Sequence, residues 1–209
     1  MNKKLIFKYF VTALILVIGV GTVQGVKLFR LKQKQTALNG APSSRKAGPE
    51  SAPIRIVEFI DYHCGPCGRG SKWLDDFMAR HPQKIALEVE YFPLHKGPSG
   101  PISFQFAECA LRQGKFWEAH RLIFERQYQW VSMLDPAPLF RLIAQEIGLD
   151  LNRLDACLKD ESIKKEISRS KFKGDALGVK ATPTYVINGS VVVGTAELEK
   201  KIYQIMETR

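Results

Sequence analysis

Apolar and polar positions alternate differently along the chain, and the changes of period mark its elements. Ile54 to Ile60 is a β-branched and aromatic run of strand length. Lys72 to Met78 then has the amphipathic spacing of a helix. Ile85 to Phe92 reads as a second strand, with Leu87, Val89 and Tyr91 on one face, Glu88 and Glu90 on the other, and Pro93 ending it. From Gly100 the period turns helical for about seventy residues. Phe104 to Arg112 predicts one helix stopping near Gly114, and Lys115 to Gln127 another. Asp135-Pro136 places an N-cap before a helix that ends at Gly148. Asp150 caps the next, through Leu158, and Glu161 to Leu177 is a longer one with Gly174 as a candidate interruption. Strand character returns at Thr184 to Ile187, Asn188-Gly189 signals a hairpin into Val191 to Val193, and Thr195 to Met206 closes as a helix. The order is β–α–β, a helical block, then β–β–α.

Before this block lies a different kind of sequence. Lys3, Lys4 and Lys8 precede Tyr9 to Val26, which carries no charge. As a helix that span is about 27 Å long, close to the roughly 30 Å of a hydrocarbon core. Residues 1–30 therefore read as a membrane anchor. The alternative is a cleaved signal with an apolar centre from Phe10 to Val20 and a cut near Gly25. Residues 31–52 are rich in Lys, Gln, Ser, Ala, Gly and Pro and read as a linker, leaving 53–209 as the folded domain. A self-associating helix over Val26 to Leu38 is a further alternative.

The net charge of +10 invites a nucleic-acid reading, and its distribution removes it. Residues 1–50 hold nine Lys/Arg against Glu50 alone, whereas residues 51–209 hold 22 Lys/Arg and 20 Asp/Glu. The basicity belongs to the flanks of the apolar span, so no nucleic-acid partner is expected. Four cysteines are compatible with two disulfides in an oxidising compartment.

Two of them carry the candidate chemistry, in Cys64-Gly65-Pro66-Cys67. Strand, tight turn and helix place Cys64 at a helix N-terminus, where free N–H groups and the dipole favour a thiolate. Cys67, one turn on, can close a disulfide back onto it, so one attacking and one resolving sulfur are present. A c-type haem attachment needs His after the second Cys, where Gly68 stands. Structural zinc needs two further ligands, and no second CxxC or HxxxH exists; His63 beside Cys64 keeps metal binding open as a rival. Glu58, within the first strand, is a buried proton acceptor if both sheet faces are covered and an ordinary solvent-facing carboxylate if not. Cys109 and Cys157, in two helices of the block, are either a structural disulfide or two buried thiols. His95, His120, Trp73, Phe116 and Trp117 read as packing or surface residues.

These pieces in this order resemble the DsbA-like branch of the thioredoxin superfamily over roughly residues 53–209. The carrying residues are the CGPC motif after a strand, Glu58 six residues before Cys64, and Gln113-Gly114-Lys115-Phe116-Trp117 in the block. Leu177 to Tyr185, containing Thr182-Pro183, and the Asn188-Gly189 hairpin complete the set. The resemblance implies an α/β thioredoxin fold with a helical insertion at about residues 100–175. It implies Cys64 as the exposed nucleophile, Cys67 as the buried resolving thiol and Glu58 as the acid that takes the Cys67 proton. Pro183 would be a cis-proline packed on the disulfide, with the Thr182 backbone holding an extended substrate segment.

Three departures bear on direction. The prototype oxidase has Pro-His between its cysteines, whereas Gly65-Pro66 is the dipeptide of reducing thioredoxins. Potentials for the two lie near −120 and −270 mV. His63 stands where an aromatic residue is usual and would favour the thiolate if protonated. Thr182 precedes the proline as in disulfide isomerases. The expectation is a dithiol oxidase acting on secreted or envelope proteins, with no cofactor beyond its own disulfide. A membrane redox partner would recycle it, and the domain would lie on the periplasmic or extracellular side of a bacterial inner membrane, or be soluble in the periplasm. The alternatives are a reductase or isomerase and, from another class, a metal-binding or copper-delivery protein using Cys64, Cys67 and His63.

Overall fold

The computed structural model describes residues 45–95, 97 and 99–208. Its strands are β1 (Lys46–Ala47), β2 (Ile54–Ile60), β3 (Ile85–Tyr91), β4 (Thr184–Ile187) and β5 (Ser190–Val193). They form one mixed sheet in the order β1-β3-β2-β4-β5. β2 lies parallel to β3 and antiparallel to β4, which makes it central, and this is why its sequence is apolar almost throughout. The helices are α1 (Gly65–Arg80), α2 (Ser99–Leu111), α3 (Phe116–Glu125), α4 (Gln127–Trp130), α5 (Ala137–Glu146), α6 (Leu151–Leu158), α7 (Glu161–Ala176) and α8 (Thr195–Glu207). Helices α2 to α7 are the insertion between β3 and β4.

Period two along β2 sorts its side chains between two cores. Ile54, Ile56 and Ile60 join Leu74 and Phe77 of α1 and Phe104, Phe106, Trp130 and Phe140 of the insertion in one large cluster. Phe59 points to the other face and packs with Phe92 and Val179. Both faces of β2 are therefore covered, and Glu58 shares the face of Ile56 and Ile60.

Local chemistry explains most boundaries. Asp150 accepts from the Asn152 and Arg153 amides at the start of α6. The β4–β5 hairpin turns through Asn188 at φ 47° and Gly189 at φ 85°, the left-handed pair that a two-residue hairpin needs. Asn188 also accepts from the Arg55 amide at 2.8 Å, pinning the hairpin to the start of β2.

Several expectations are corrected. The helix after the CGPC motif starts directly behind Cys64, as expected, whereas α2 begins at Ser99 and not at Phe104. The stretch read as one helix over 115–127 breaks at Arg126 into α3 and the short α4. α5 is capped at Pro136, although Asp135 still accepts from the Ala137 amide at 3.0 Å. Gly174 lies buried inside α7 without interrupting it. The linker ends earlier than residue 52, because β1 pairs antiparallel with β3 and Ala52 is buried. Arg45 holds this segment down, 3.4 Å from Glu90 and 3.3 Å from Glu108, with its guanidinium 4.5 Å over the Tyr91 ring. The anchor or signal at 1–30, the remaining linker and the Val26–Leu38 segment lie outside the described residues. Among the described residues no helix is long and apolar enough to cross a membrane.

Cys109 of α2 and Cys157 of α6 are bonded, closing a span of 48 residues. A loop of that size contributes roughly 2–4 kcal/mol by restricting the unfolded chain. Replacing both by Ser is expected to lower unfolding stability by that amount in urea titration; an unchanged midpoint would refute it.

Candidate active site

The site is built where the C-terminal end of the central strand runs into α1. Cys64 has extended backbone angles (φ −80°, ψ 109°) and caps α1 with its backbone, without a side-chain capping hydrogen bond. Its carbonyl accepts from the Cys67 and Gly68 amides at 3.0 and 3.3 Å, closing the first turn. Pro66 sits in that turn, where a missing N–H does no harm. Cys64 is half-buried and Cys67 fully buried, both as free thiols.

The two sulfurs are driven apart in acidity. Cys64 is drawn down to about 6, first by its hydrogen bond with the Cys67 side chain, against the opposing effect of burial. Thr182 and the Cys67 amide add to that lowering. Cys67 is pushed far up, first by burial and then by the neighbouring Cys64 sulfur. Cys64 thus holds the charge and Cys67 the proton. Alkylation of Cys64 by iodoacetamide should accordingly rise through a pH of about 6 and level off above it, because only the thiolate reacts. A limb near pH 8.5, the value of an ordinary thiol, would refute this.

A second segment faces the sulfurs from β4. The Cys64 sulfur lies 3.2 Å from the Thr182 carbonyl oxygen, to which it donates when protonated, and the Thr182–Pro183 bond is cis. Thr182 is half-buried and Pro183 buried. Thr184 Oγ1 donates to the Ala181 carbonyl at 2.7 Å and braces this turn.

Glu58, close enough to act electrostatically on Cys67, has no accessible surface, and neither of its carboxylate oxygens is hydrogen-bonded among the described residues. Burial pushes its carboxyl up to about 8. A carboxyl in that range is a proton carrier near neutral pH.

His63 packs against the insertion. Its Nε2 lies 2.9 Å from Ser99 Oγ, its ring stacks on His95 at 4.0 Å, and Trp130 meets it edge-on. Its side chain is 7% exposed, so it is placed for packing and not for contact with a substrate. Burial first, then His95, lower its pKa, so the ring is neutral at pH 7 and offers the thiolate no positive charge. His120 is likewise internal, 3.0 Å from the Tyr62 hydroxyl and 2.9 Å from Ser71 Oγ, with burial holding it down to about 3. Trp73 stacks on Phe77, and Phe116 and Trp117 pack around the main core.

Asp61 is a further residue of the site, one that the CGPC motif does not announce. Its Oδ1 accepts from the His63 amide at 2.9 Å, and its Oδ2 from the Leu94 and His95 amides at 2.7 and 2.8 Å. It ties the turn before Cys64 to the loop after β3. An Asp two residues before a tight turn is a recognisable signal for such bonds. Gln127 of α4, which donates to the Tyr62 carbonyl at 2.6 Å, carries no comparable local signal. Among the described residues no group of three or more His, Cys, Asp or Glu side chains is placed to hold a metal ion. The set Cys64, Cys67 and His63 is therefore not gathered.

The family described as Thioredoxin matches residues 41–205. The chain belongs to the thioredoxin family. Several solved structures share this fold. The thiol-disulfide exchange protein α-DsbA2 from Wolbachia pipientis superposes with a TM-score of 0.65 at 21% identity, over 88% of this chain and 98% of that one. BdbD from Bacillus subtilis gives 0.66 at 19%, over 78% and 92%. The catalytic domain of Proteus mirabilis ScsC gives 0.63 at 22%, over 83% and 95%. Among curated sequences, the Na(+)/H(+) antiporter NhaA of Herminiimonas arsenicoxydans is 32% identical over 148 residues, 71% of this chain and 23% of that protein. The thioredoxin-family chain thus spans about a quarter of the length of such relatives, and their naming as antiporters describes those whole proteins.

Proposed function

We propose that this protein is a thiol–disulfide oxidoreductase that exchanges disulfides with Cys-containing protein substrates through Cys64 and Cys67. The observation that carries this is the split acidity of two sulfurs one helical turn apart, beside the Thr182 carbonyl. In the oxidative direction a substrate thiolate attacks Cys64 Sγ, the Cys64–Cys67 bond breaks, and Cys67 leaves with the electron pair and takes a proton from Glu58. A second substrate thiolate then attacks the substrate sulfur of the mixed disulfide. The substrate disulfide forms and Cys64 leaves as the thiolate. Thr182, half-exposed beside Cys64, offers backbone to an extended substrate segment.

The preferred direction is oxidation, on the extracytoplasmic side of a bacterial membrane. The Cys109–Cys157 bond supports it, since structural disulfides persist where the surroundings oxidise. A second reading, reductase or isomerase, is favoured by the neutral, buried His63 and the Gly65-Pro66 dipeptide, which leave the thiolate without a cationic neighbour. A membrane redox partner would differ accordingly, an oxidant in the first case and an electron donor in the second.

Equilibrating the full chain with glutathione tests the direction. A potential near −120 mV is expected for an oxidase, and one near −270 mV would replace it by the reductase reading.

A further inference from the structure

Glu58 and Tyr185 are direct partners across β2 and β4, so their side chains leave the sheet on the same face, under α1. Both carboxylate oxygens of Glu58 and the Tyr185 hydroxyl are buried, and none has a hydrogen-bond partner among the described residues. Unpartnered buried polar groups are rare and need a reason. α1 is shaped around this hydroxyl. A β-carbon on Gly70 would stand 2.0 Å from the Tyr185 oxygen, and 3.3 Å from Thr195 Oγ1, which itself donates to the Pro66 carbonyl. The absence of a side chain at Gly70 therefore makes room for the Tyr185 hydroxyl against α1.

Resting on the exchange reading above, we propose that Tyr185 is a positioning residue whose hydroxyl donates a hydrogen bond to the Glu58 carboxylate in the ionised form that accepts the Cys67 proton. When Cys67 attacks a mixed disulfide on Cys64, the Cys67–Cys64 bond forms and the bond to the departing sulfur breaks. The electron pair leaves with that sulfur, and the Cys67 proton passes to Glu58. The carboxylate that receives it has to exist first, in a site that disfavours charge. The groups facing Glu58 are Cys64 at the cap of α1, Cys67 and Asp75 on α1, Tyr185 on β4 and Tyr62 after β2. Asp75 and Cys64 oppose a negative charge there, whereas the Tyr185 hydroxyl favours one. Its proton stays on oxygen throughout, because burial raises the phenol far above its ordinary range.

The test is single-turnover oxidation of the reduced full chain by oxidised glutathione, followed across about pH 5–10, with release of the second glutathione reporting the Cys67 step. Tyr185→Phe is expected to move the limb assigned to Glu58 upward by about one pH unit and to slow the step about tenfold at pH 7, the size of one hydrogen bond to a charged group. The Cys64 alkylation limb should stay in place, and Tyr185→Phe should have no further effect on Glu58→Gln. An unmoved Glu58 limb, or additive effects in the double variant, would overturn the proposal. Infrared difference spectra of the unaltered protein give an independent reading. The tyrosine C–O band should shift in step with loss of the carboxyl C=O band, and a band that stays put would also overturn it. Wild-type chain that fails to exchange, or exchange that survives Cys64→Ser, would instead overturn the exchange reading.

Discussion

Cys64→Ser is expected to abolish exchange with glutathione and with protein disulfides, whereas Cys67→Ser should keep the first step and stop at the mixed disulfide. The difference follows from burial and acidity. Cys64 is half-exposed and drawn down to about 6, so at neutral pH most of it is the attacking thiolate. Cys67 has no exposed surface and keeps its proton, so a substrate sulfur reaches only Cys64. Without Cys67 nothing internal displaces the captured sulfur. The loss for Cys64→Ser should be at least about a thousandfold, since a serine hydroxyl has neither the acidity nor the leaving ability of the thiol. Mass spectrometry under non-reducing conditions should show the glutathione adduct on Cys67→Ser and none on Cys64→Ser. An adduct at Cys67 in the latter would reverse the assignment.

Glu58→Gln should make the protein more stable and less active together. The Glu58 carboxyl is raised to about 8 in the folded protein, from an ordinary value near 4.3 in the unfolded chain. Between those values the folded state holds the proton and the unfolded state releases it, so stability falls as pH rises through the window. At pH 7 the accumulated loss is of order 3 kcal/mol, and an amide that cannot ionise should recover about 2–3 kcal/mol of it. In urea unfolding the stability advantage of Glu58→Gln over the wild type should grow as pH rises from 4.5 to about 8. The same variant should slow the Cys67 step by roughly a hundredfold, the scale of a lost general acid–base group. A stability profile equally steep in both proteins would mean that Glu58 does not ionise in this window.

The two predictions draw on different ranges of information. The strands Ile54–Ile60 and Thr184–Ile187, the Asn188-Gly189 turn and the helix starting behind Cys64 were legible because they rest on interactions within a few residues. Alternation reports a covered face, a left-handed dihedral pair reports a hairpin, and a CxxC after a strand places one sulfur at a helix start. Boundaries slipped where neighbours decide them. The turn at Arg126 depends on α4, which Gln127 anchors to the Tyr62 carbonyl, 65 residues away along the chain. The segment at Lys46–Ala47 has a linker's composition and becomes a strand only because β3 offers an open edge and Glu90 and Glu108 fix Arg45.

The acidities lay furthest from the sequence. Glu58 could be buried or solvent-facing until the second core of Phe59, Phe92 and Val179 was seen to close the other face of β2. His63 next to Cys64 suggested a cationic helper. Contacts with Ser99, His95 and Trp130 instead turn it into a neutral packing ring. Cys109 and Cys157 could bond only if α2 and α6 brought their Cα atoms to 5.8 Å, a separation no spacing of 48 residues dictates. The chain by itself determined which two sulfurs stand one helical turn apart and on which element they sit, since covalent spacing and helix geometry are local. Tertiary structure decided which groups carry charge beside them, because the free energy of a charge depends on how completely distant segments exclude water around it.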